Sequence, residues 1–200
     1  MGEVVAMKIR GRRVIITPMK LEDIHLITNW GKHDNPLFFD YNLSLSAPGD
    51  LEGWYDHKVA RGNSRYYSVF NDDSIFIGYI GIKNIRRLWR DAVLGVVFDP
   101  NYIDQGYGTD AISAYLDYYF NMLRMRTMYL EVAEFNQRAI KCYQKCGFRI
   151  VDRYLDLFFD QHIDRNNIFF LEASTAFQIM DGKIYNYIYK MRVDRDVYGE

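Results

Sequence analysis

Residues 92–122 constrain the fold of this chain more than any other stretch. Residues 92–98 form an apolar, valine-rich run that Asp99-Pro100 stops. Gln105-Gly106-Tyr107-Gly108-Thr109 follows, and residues 108–122 then carry Ala111, Ile112, Tyr115, Tyr119 and Met122 on one helical face. Strand, glycine loop and amphipathic helix in that order predict a helix packed on a sheet. Glycines let a ligand approach the backbone, and a helix start offers unpaired N–H groups at the positive end of a dipole. Phosphate or pyrophosphate is the natural guest. The loop alone also admits a plain helix-entry turn.

Residues 7–17 read as a strand with Val14-Ile15-Ile16 as its apolar part, ended by Pro18. Residues 21–30 place Leu21, Ile24, Leu26, Ile27 and Trp30 at helical spacing. Asn35-Pro36 and Ala47-Pro48-Gly49-Asp50 mark loops, and residues 51–61 predict a second helix. Strands follow at 66–70, 75–85 and 92–98, the first two joined by the hairpin-type loop Asn71-Asp72-Asp73-Ser74. Residues 127–132 predict a strand, and Asn136 suits the N-cap of a helix that runs to Cys146 and stops at Gly147. Residues 148–154 and 184–193 read as the last strands, the second with alternating Tyr185, Tyr187, Tyr189 and Met191. No repeat or linker divides the chain, which predicts one domain over residues 1–200. Its class is α/β (α+β), a mixed, mostly antiparallel sheet flanked by helices, with a meander leading into one β-loop-α-β-α unit.

Lys plus Arg total 25 against 26 acids, so the net charge is -1 and no global field attracts nucleic acid or an anionic membrane. The two cysteines, Cys142 and Cys146, cannot form a secreted disulfide framework. The first thirteen residues lack a signal-peptide core, no run approaches the ~18 apolar residues of a span, and Ala6 breaks a myristoylation pattern. A soluble cytoplasmic protein is the expectation. The unusual composition is aromatic, with 17 Tyr, 13 Phe and 3 Trp crowded at 115–120, 158–170 and 185–189.

Gly106-Tyr107-Gly108-Thr109-Asp110-Ala111 also fits the dinucleotide pattern, with Glu131 further on. Against that reading, Asp99 to Gln105 separate the strand from the first glycine, whereas a dinucleotide turn is tight. Only one such unit occurs, behind an antiparallel meander.

Residues 94–148 resemble the GNAT (GCN5-related) N-acetyltransferase superfamily, in its branch of ribosomal-protein and spermidine acetyltransferases. The resemblance rests on Leu94-Gly95-Val96-Val97-Phe98-Asp99-Pro100, on Gln105-Gly106-Tyr107-Gly108-Thr109-Asp110-Ala111, on Tyr129-Leu130-Glu131-Val132, and on Asn136-Gln137-Arg138-Ala139-Ile140 leading through Tyr143 to Gly147-Phe148. Two departures stand out. Ile103 occupies the position where the family commonly has Gln or Arg, and residues 155–182 read as an insertion before the closing strand.

The resemblance implies an acetyl-CoA-binding core at about residues 92–150 and acetyl transfer from acetyl-CoA to a primary amine. Transfer is direct within a ternary complex, since no activated nucleophile is evident. A lysine-like amine of pKa ~10.4 is only about 0.04% neutral at pH 7, so a base, or a water chain to a carboxylate, can take its proton. Glu131 is the candidate base and Tyr143 the candidate acid for the departing thiolate, with Glu134 and Asp99 as reserve bases. A solvent-facing Glu131 and a packing Tyr143 are the alternatives. Val97, Phe98, Gln105, Gly106, Tyr107, Gly108, Thr109 and Asn136 are the expected cofactor contacts; Asn136 serves at least as a cap. In the family, the strand at 92–98 and that at 127–132 splay apart to admit the pantetheine arm.

A protein N-terminus, a polyamine, an aminoglycoside or another small amine all fit as acceptor, and the aromatic clusters fit a homodimer face. The alternative from another class is a non-catalytic acyl-CoA-binding or sensing domain. Cys142 and Cys146 read as buried helix thiols rather than half a metal site, and no metal is expected. Asp152, Asp156, Asp160 and Asp164 would form one acidic stripe if their stretch were helical; a solvated face is the plainer reading. Arg86, Arg87 and Arg90 around Trp89 suit a hairpin tip.

Overall fold

Runs rich in β-branched and aromatic residues pair into one nine-stranded sheet, buried on both faces in β4, where seven residues in a row are covered, and open along β7. The computed structural model describes residues 7–42, 49–59 and 62–198. The chain enters through β1 (Ile9–Arg10) and β2 (Val14–Pro18), then α1 (Leu21–His25), which tightens into a 3-10 turn at Leu26–Asn29; a separate 3-10 segment follows at Pro36–Tyr41. Next come α2 (Asp50–Val59) and the meander β3 (Arg65–Asn71), β4 (Phe76–Arg86) and β5 (Asp91–Phe98). α3 (Tyr107–Asp117), β6 (Thr127–Ala133), α4 (Gln137–Lys145) and β7 (Arg149–Leu157) follow. The chain closes through α5 (Ile168–Glu172), β8 (Phe177–Met180) and β9 (Lys183–Asp194).

The spatial order is β1-β2-β3-β4-β5-β6-β9-β7, with β8 also on β9. Every pairing is antiparallel except β5 with β6. That parallel pair holds for only three rungs, from Asp91↔Thr127 to Val93↔Tyr129. Beyond it β5 stays with β4 as far as Phe98, and β6 stays with β9 as far as Ala133. The two strands therefore diverge, and each turns an unladdered backbone edge into the gap.

One face of the sheet packs on α3 and α4: Ala111, Ile112, Tyr115, Leu116 and Tyr119 bury against Ile16, Val69, Ile80, Leu94 and Met128. On the other face Ile24 and Ile27 cover Tyr66, Phe76 and Tyr79. A third cluster joins Leu37 to Phe158, Phe170, Phe177 and Ile184. Full burial of each such side chain contributes about 1.5–3 kcal/mol.

The expected strand at 7–17 is broken, because Gly11 turns back to bond Val14 and leaves Ile9–Arg10 as its own short strand. The helix at 108–122 relaxes into a single π-type turn over Tyr118–Met122. Ala47 and Pro48 of the predicted loop, and the end of the helix predicted at 51–61, lie outside the described residues. The four-residue acidic spacing is not a helical stripe. Asp152 and Asp156 lie on β7, held by β9 pairing, whereas Asp160 and Asp164 accept backbone N–H groups in turns. Residues 155–182 are not one loop, since β7 continues through Leu157 and β8 pairs with β9. Among the described residues no helix is long and apolar enough to cross a membrane.

Candidate active site

The gap between β5 and β6 opens into a cavity of about 330 Å³. Val97, Phe98, Gly106, Gly108, Thr109, Glu131, Asn136 and Tyr143 all line it, so divergence of two strands gathers residues from three segments. Gln105 and Tyr107 do not line it. Tyr107 is buried, with Arg13 over its ring and against its hydroxyl, and Gln105 turns its amide back to the Asn101 carbonyl at 2.9 Å. These two side chains support the loop from outside.

The loop enters α3 through Gly106, the N-cap, at φ +86°, a conformation that glycine adopts without steric cost. The first helical bond runs from Asp110 N–H to the Gly106 carbonyl, so the amides before it project from the helix start. Amides at a helix start suit an anion, and Gly106, Gly108 and Thr109 line the cavity there. Arg138, Lys141 and Lys145, at helical spacing on α4, line the same cavity and add positive charge. Arg138 is partnered by Asp104 at 3.8 Å.

Phe98 holds the strand end in place. Its ring lies in a slot whose floor is Gly78 on β4: a Cβ there would sit 2.6 Å from the Phe98 ring and 2.7 Å from the Val97 carbonyl oxygen. On its other side the ring approaches Gly108 of the loop. Asn136 accepts the Ala139 N–H at 3.1 Å, which caps α4 and leaves its amide group at the cavity.

Tyr143 is buried, and that burial pushes its phenol far above the ordinary range. The hydroxyl is therefore neutral and a donor at any physiological pH. Glu131 is exposed at the cavity edge and meets a second cavity of about 230 Å³. Tyr41, Glu131 and Val132 line both spaces. The second adds the carboxylates of Asp40 and Asp156, and Phe135, Phe158 and Phe159 supply apolar wall. Burial raises the Asp40 carboxyl above its usual range. Tyr154, in the same wall, is pushed up to about 12 by burial, by its interaction with Glu131 and by the charges of Asp156 and Asp152.

The reserve bases are otherwise engaged. Asp99 is buried and accepts the N–H groups of Gly31 and Asn101, each at 2.9 Å. Glu134 pairs with Arg153 at 2.7 Å. Sequence reasoning missed His33, Phe38 and Tyr41, which the turn at Pro36–Tyr41 and the segment before it bring to the wall. Burial and then the nearby Arg138 charge hold His33 below the usual imidazole range. The cations of α4 were visible as an i, i+3, i+7 pattern after Asn136; the His33–Tyr41 segment gave no local signal. Among the described residues no group of three or more His, Cys, Asp or Glu side chains could hold a metal ion.

Residues 13–149, more than half of the chain, match the family model described as acetyltransferase (GNAT) domain. Spermidine N(1)-acetyltransferase of Escherichia coli strain K12 is 25% identical over 155 residues, 78% of this chain and 83% of that protein. Acetyltransferase PseH of Campylobacter jejuni is 30% identical over 138 residues, 69% of this chain and 84% of that protein. The structure of spermidine N-acetyltransferase from Vibrio cholerae in complex with CoA and spermine superposes with a TM-score of 0.70 at 20% identity. That alignment covers 94% of this chain and 99% of the other. With the parting strands, the free amides at the start of α3 and the family match together, this chain belongs to the GNAT acetyltransferase family and is an acetyl-CoA-dependent N-acetyltransferase.

Proposed function

We propose that acetyl-CoA fills the larger cavity and that the acceptor is a primary amine of a small polycation of the polyamine class, held in the smaller one. The observation that carries this reading is the opposite charge of the two spaces and their meeting at Glu131. Arg138, Lys141, Lys145 and the start of α3 suit phosphates; Asp40, Glu131 and Asp156 suit ammonium groups. The spermidine acetyltransferase activity in the names of the relatives supports the same acceptor class.

In this reading the pyrophosphate rests on the amides of Gly106, Tyr107, Gly108 and Thr109. The pantetheine arm adds itself to the free edge of β5 at Val97 and Phe98, beside Asn136. The thioester then lies where β5 and β6 part, next to Tyr143. Glu131 takes the proton of the incoming ammonium, directly or through water, and the neutral amine attacks the thioester carbonyl. An amide N–H from the β5 edge steadies the oxyanion. Collapse expels the thiolate toward the Tyr143 hydroxyl. A phenol raised by burial is a weaker acid than a free one, so Tyr143 works chiefly as a hydrogen-bond donor. It gives up its proton as far as the same dry surroundings raise the basicity of the thiolate.

The continuous sheet supports reading residues 1–200 as one catalytic domain, and the absence of a membrane-crossing helix among the described residues fits a cytoplasmic site of action. The outer edge of β7, with Ile150, Val151 and Leu157 exposed, supports self-association.

The test is CoA release from acetyl-CoA across polyamines, monoamines, aminoglycosides and peptides with free N-termini. Turnover is expected with spermidine or spermine at kcat/KM at least about tenfold above monoamines, the worth of one extra ammonium–carboxylate contact. Preferred turnover of a peptide N-terminus would overturn the acceptor assignment. Binding of acetyl-CoA without turnover on any amine would favour a sensing domain.

A further inference from the structure

Cys142 and Cys146 stand one turn apart on α4, and both sulfurs meet the same residue of the glycine loop. Cys142 Sγ lies 3.3 Å from Thr109 Oγ1, and Cys146 donates to the Thr109 carbonyl at 3.7 Å. Cys142 is part of the cavity wall; Cys146 is buried behind it at 3% exposure. The transfer chemistry uses neither thiol. Residues four apart on a helix have Cα atoms roughly 6 Å apart, inside the span that a disulfide bridges, but Cβ atoms about 5–6 Å apart, so closing the bridge must pull the last turn of α4 inward. Cys146 is also the C-cap of α4, where the last turn adjusts without breaking the helix interior.

We infer that Cys142 is a site of oxidative modification by hydroperoxides, with Cys146 as its resolving thiol. Cys142 thiolate attacks the peroxide: the S–O bond forms, the O–O bond breaks, and the departing hydroxide or alkoxide is protonated. Cys146 then attacks the sulfenic sulfur, so that the S–S bond forms and the S–O bond breaks. The Cys146 proton leaves with the hydroxide as water. Two thiols are oxidised and one hydroperoxide is reduced to water and water or alcohol. The electrostatics agree with this division of labour. The contact with Cys146, the Thr109 hydroxyl and the charges of Lys145 and Arg138 hold Cys142 below the usual thiol range, against the cost of burial. Cys146 is pushed up by the same contact and by burial.

Closing the disulfide draws the Cys142 sulfur off Thr109 and out of its place beside Gly108, where a Cβ would lie 3.5 Å from it. The start of α3 is thereby distorted. This consequence rests on acetyl-CoA occupying the larger cavity, whereas the thiol chemistry itself does not.

The experiment treats the reduced full chain with hydrogen peroxide, with and without acetyl-CoA, and maps tryptic peptides under non-reducing conditions. Trypsin cuts after Lys141, Lys145 and Arg149, so the expected product is Cys142-Tyr143-Gln144-Lys145 linked to Cys146-Gly147-Phe148-Arg149. Turnover should fall as the linked pair accumulates and return with dithiothreitol. Acetyl-CoA at ten times its Kd should slow formation about tenfold. Cys146→Ser should instead carry sulfinic acid at Cys142, which dithiothreitol does not reverse. Unlinked peptides, links only between two chains, or full recovery of Cys146→Ser would overturn the thiol pair. A linked pair forming at full rate under saturating acetyl-CoA would overturn the cofactor placement instead.

Discussion

The Arg13 guanidinium lies 4.2 Å from the centre of the Tyr107 ring and donates to the hydroxyl of that same ring at 2.7 Å. Another of its nitrogens donates to the Gln105 carbonyl at 2.9 Å, while the Arg13 backbone N–H binds Asp110 at 2.7 Å. The turn between β1 and β2 thus grips the glycine loop from outside the cavity. Arg13→Ala should raise the KM for acetyl-CoA about five- to thirtyfold, the equivalent of losing about 1–2 kcal/mol of hydrogen-bond and cation–π support, with a smaller change in kcat. Arg13→Lys should restore little, because an ammonium cannot reproduce the fork. Steady-state kinetics at saturating acceptor measure both.

Tyr143→Phe removes a buried donor without changing the shape of the cavity wall. Turnover should drop about a hundredfold while CoA affinity by calorimetry stays within about twofold. Unchanged kcat would assign Tyr143 to packing alone.

Glu131→Gln should leave the acceptor to lose its proton in bulk water. Log kcat/KM for the amine should then rise about one unit per pH unit between pH 7 and 9, following the neutral fraction of a group of pKa ~10. The unmodified enzyme should show a flatter profile over that range. Identical profiles would place proton removal elsewhere.

Gly78 lies under the Phe98 ring with no room for a methyl group. Gly78→Ala should cost about 1–3 kcal/mol of stability, seen as a lower thermal midpoint. It should also weaken acetyl-CoA binding, because the strain falls on the β5 edge at Val97 and Phe98.

Asp40 carries a carboxyl raised by burial, so it becomes anionic only at higher pH than an ordinary carboxylate. It attracts a cation above its pKa and loses that attraction as pH falls through it. Acceptor kcat/KM should therefore decline on acidification before a surface carboxylate would titrate. Asp40→Asn should remove that inflection and raise the acceptor KM about three- to tenfold, measured across pH at fixed acetyl-CoA.

Much of the cofactor side was legible in the sequence because its parts are local. Asn136 caps α4 within three residues, Gly106 turns the chain by its own φ, and Pro100 ends β5 through its own ring. The acceptor side was not legible. Asp40 and Tyr41 share a cavity with Glu131 only because the Pro36–Tyr41 turn folds back with Phe38 against Phe135, and Asp156 joins them only because β7 pairs with β9 rather than forming a helix. The aromatic excess shows the same divide. Tyr115, Tyr119 and Phe120 bury as their helical spacing predicts, whereas Phe158 and Phe177 find Phe135 across strands far apart in sequence.

Periodicity, capping and turn chemistry act over a few residues, so the main strands and helices, the glycine loop at a helix start and the family resemblance could all be read along the chain. Where β5 and β6 part, which carboxylates line the smaller cavity, and how Arg13 supports the loop emerged from the folded chain alone. Those relations depend on burial and pairing between segments tens of residues apart, where no local pattern records the partner.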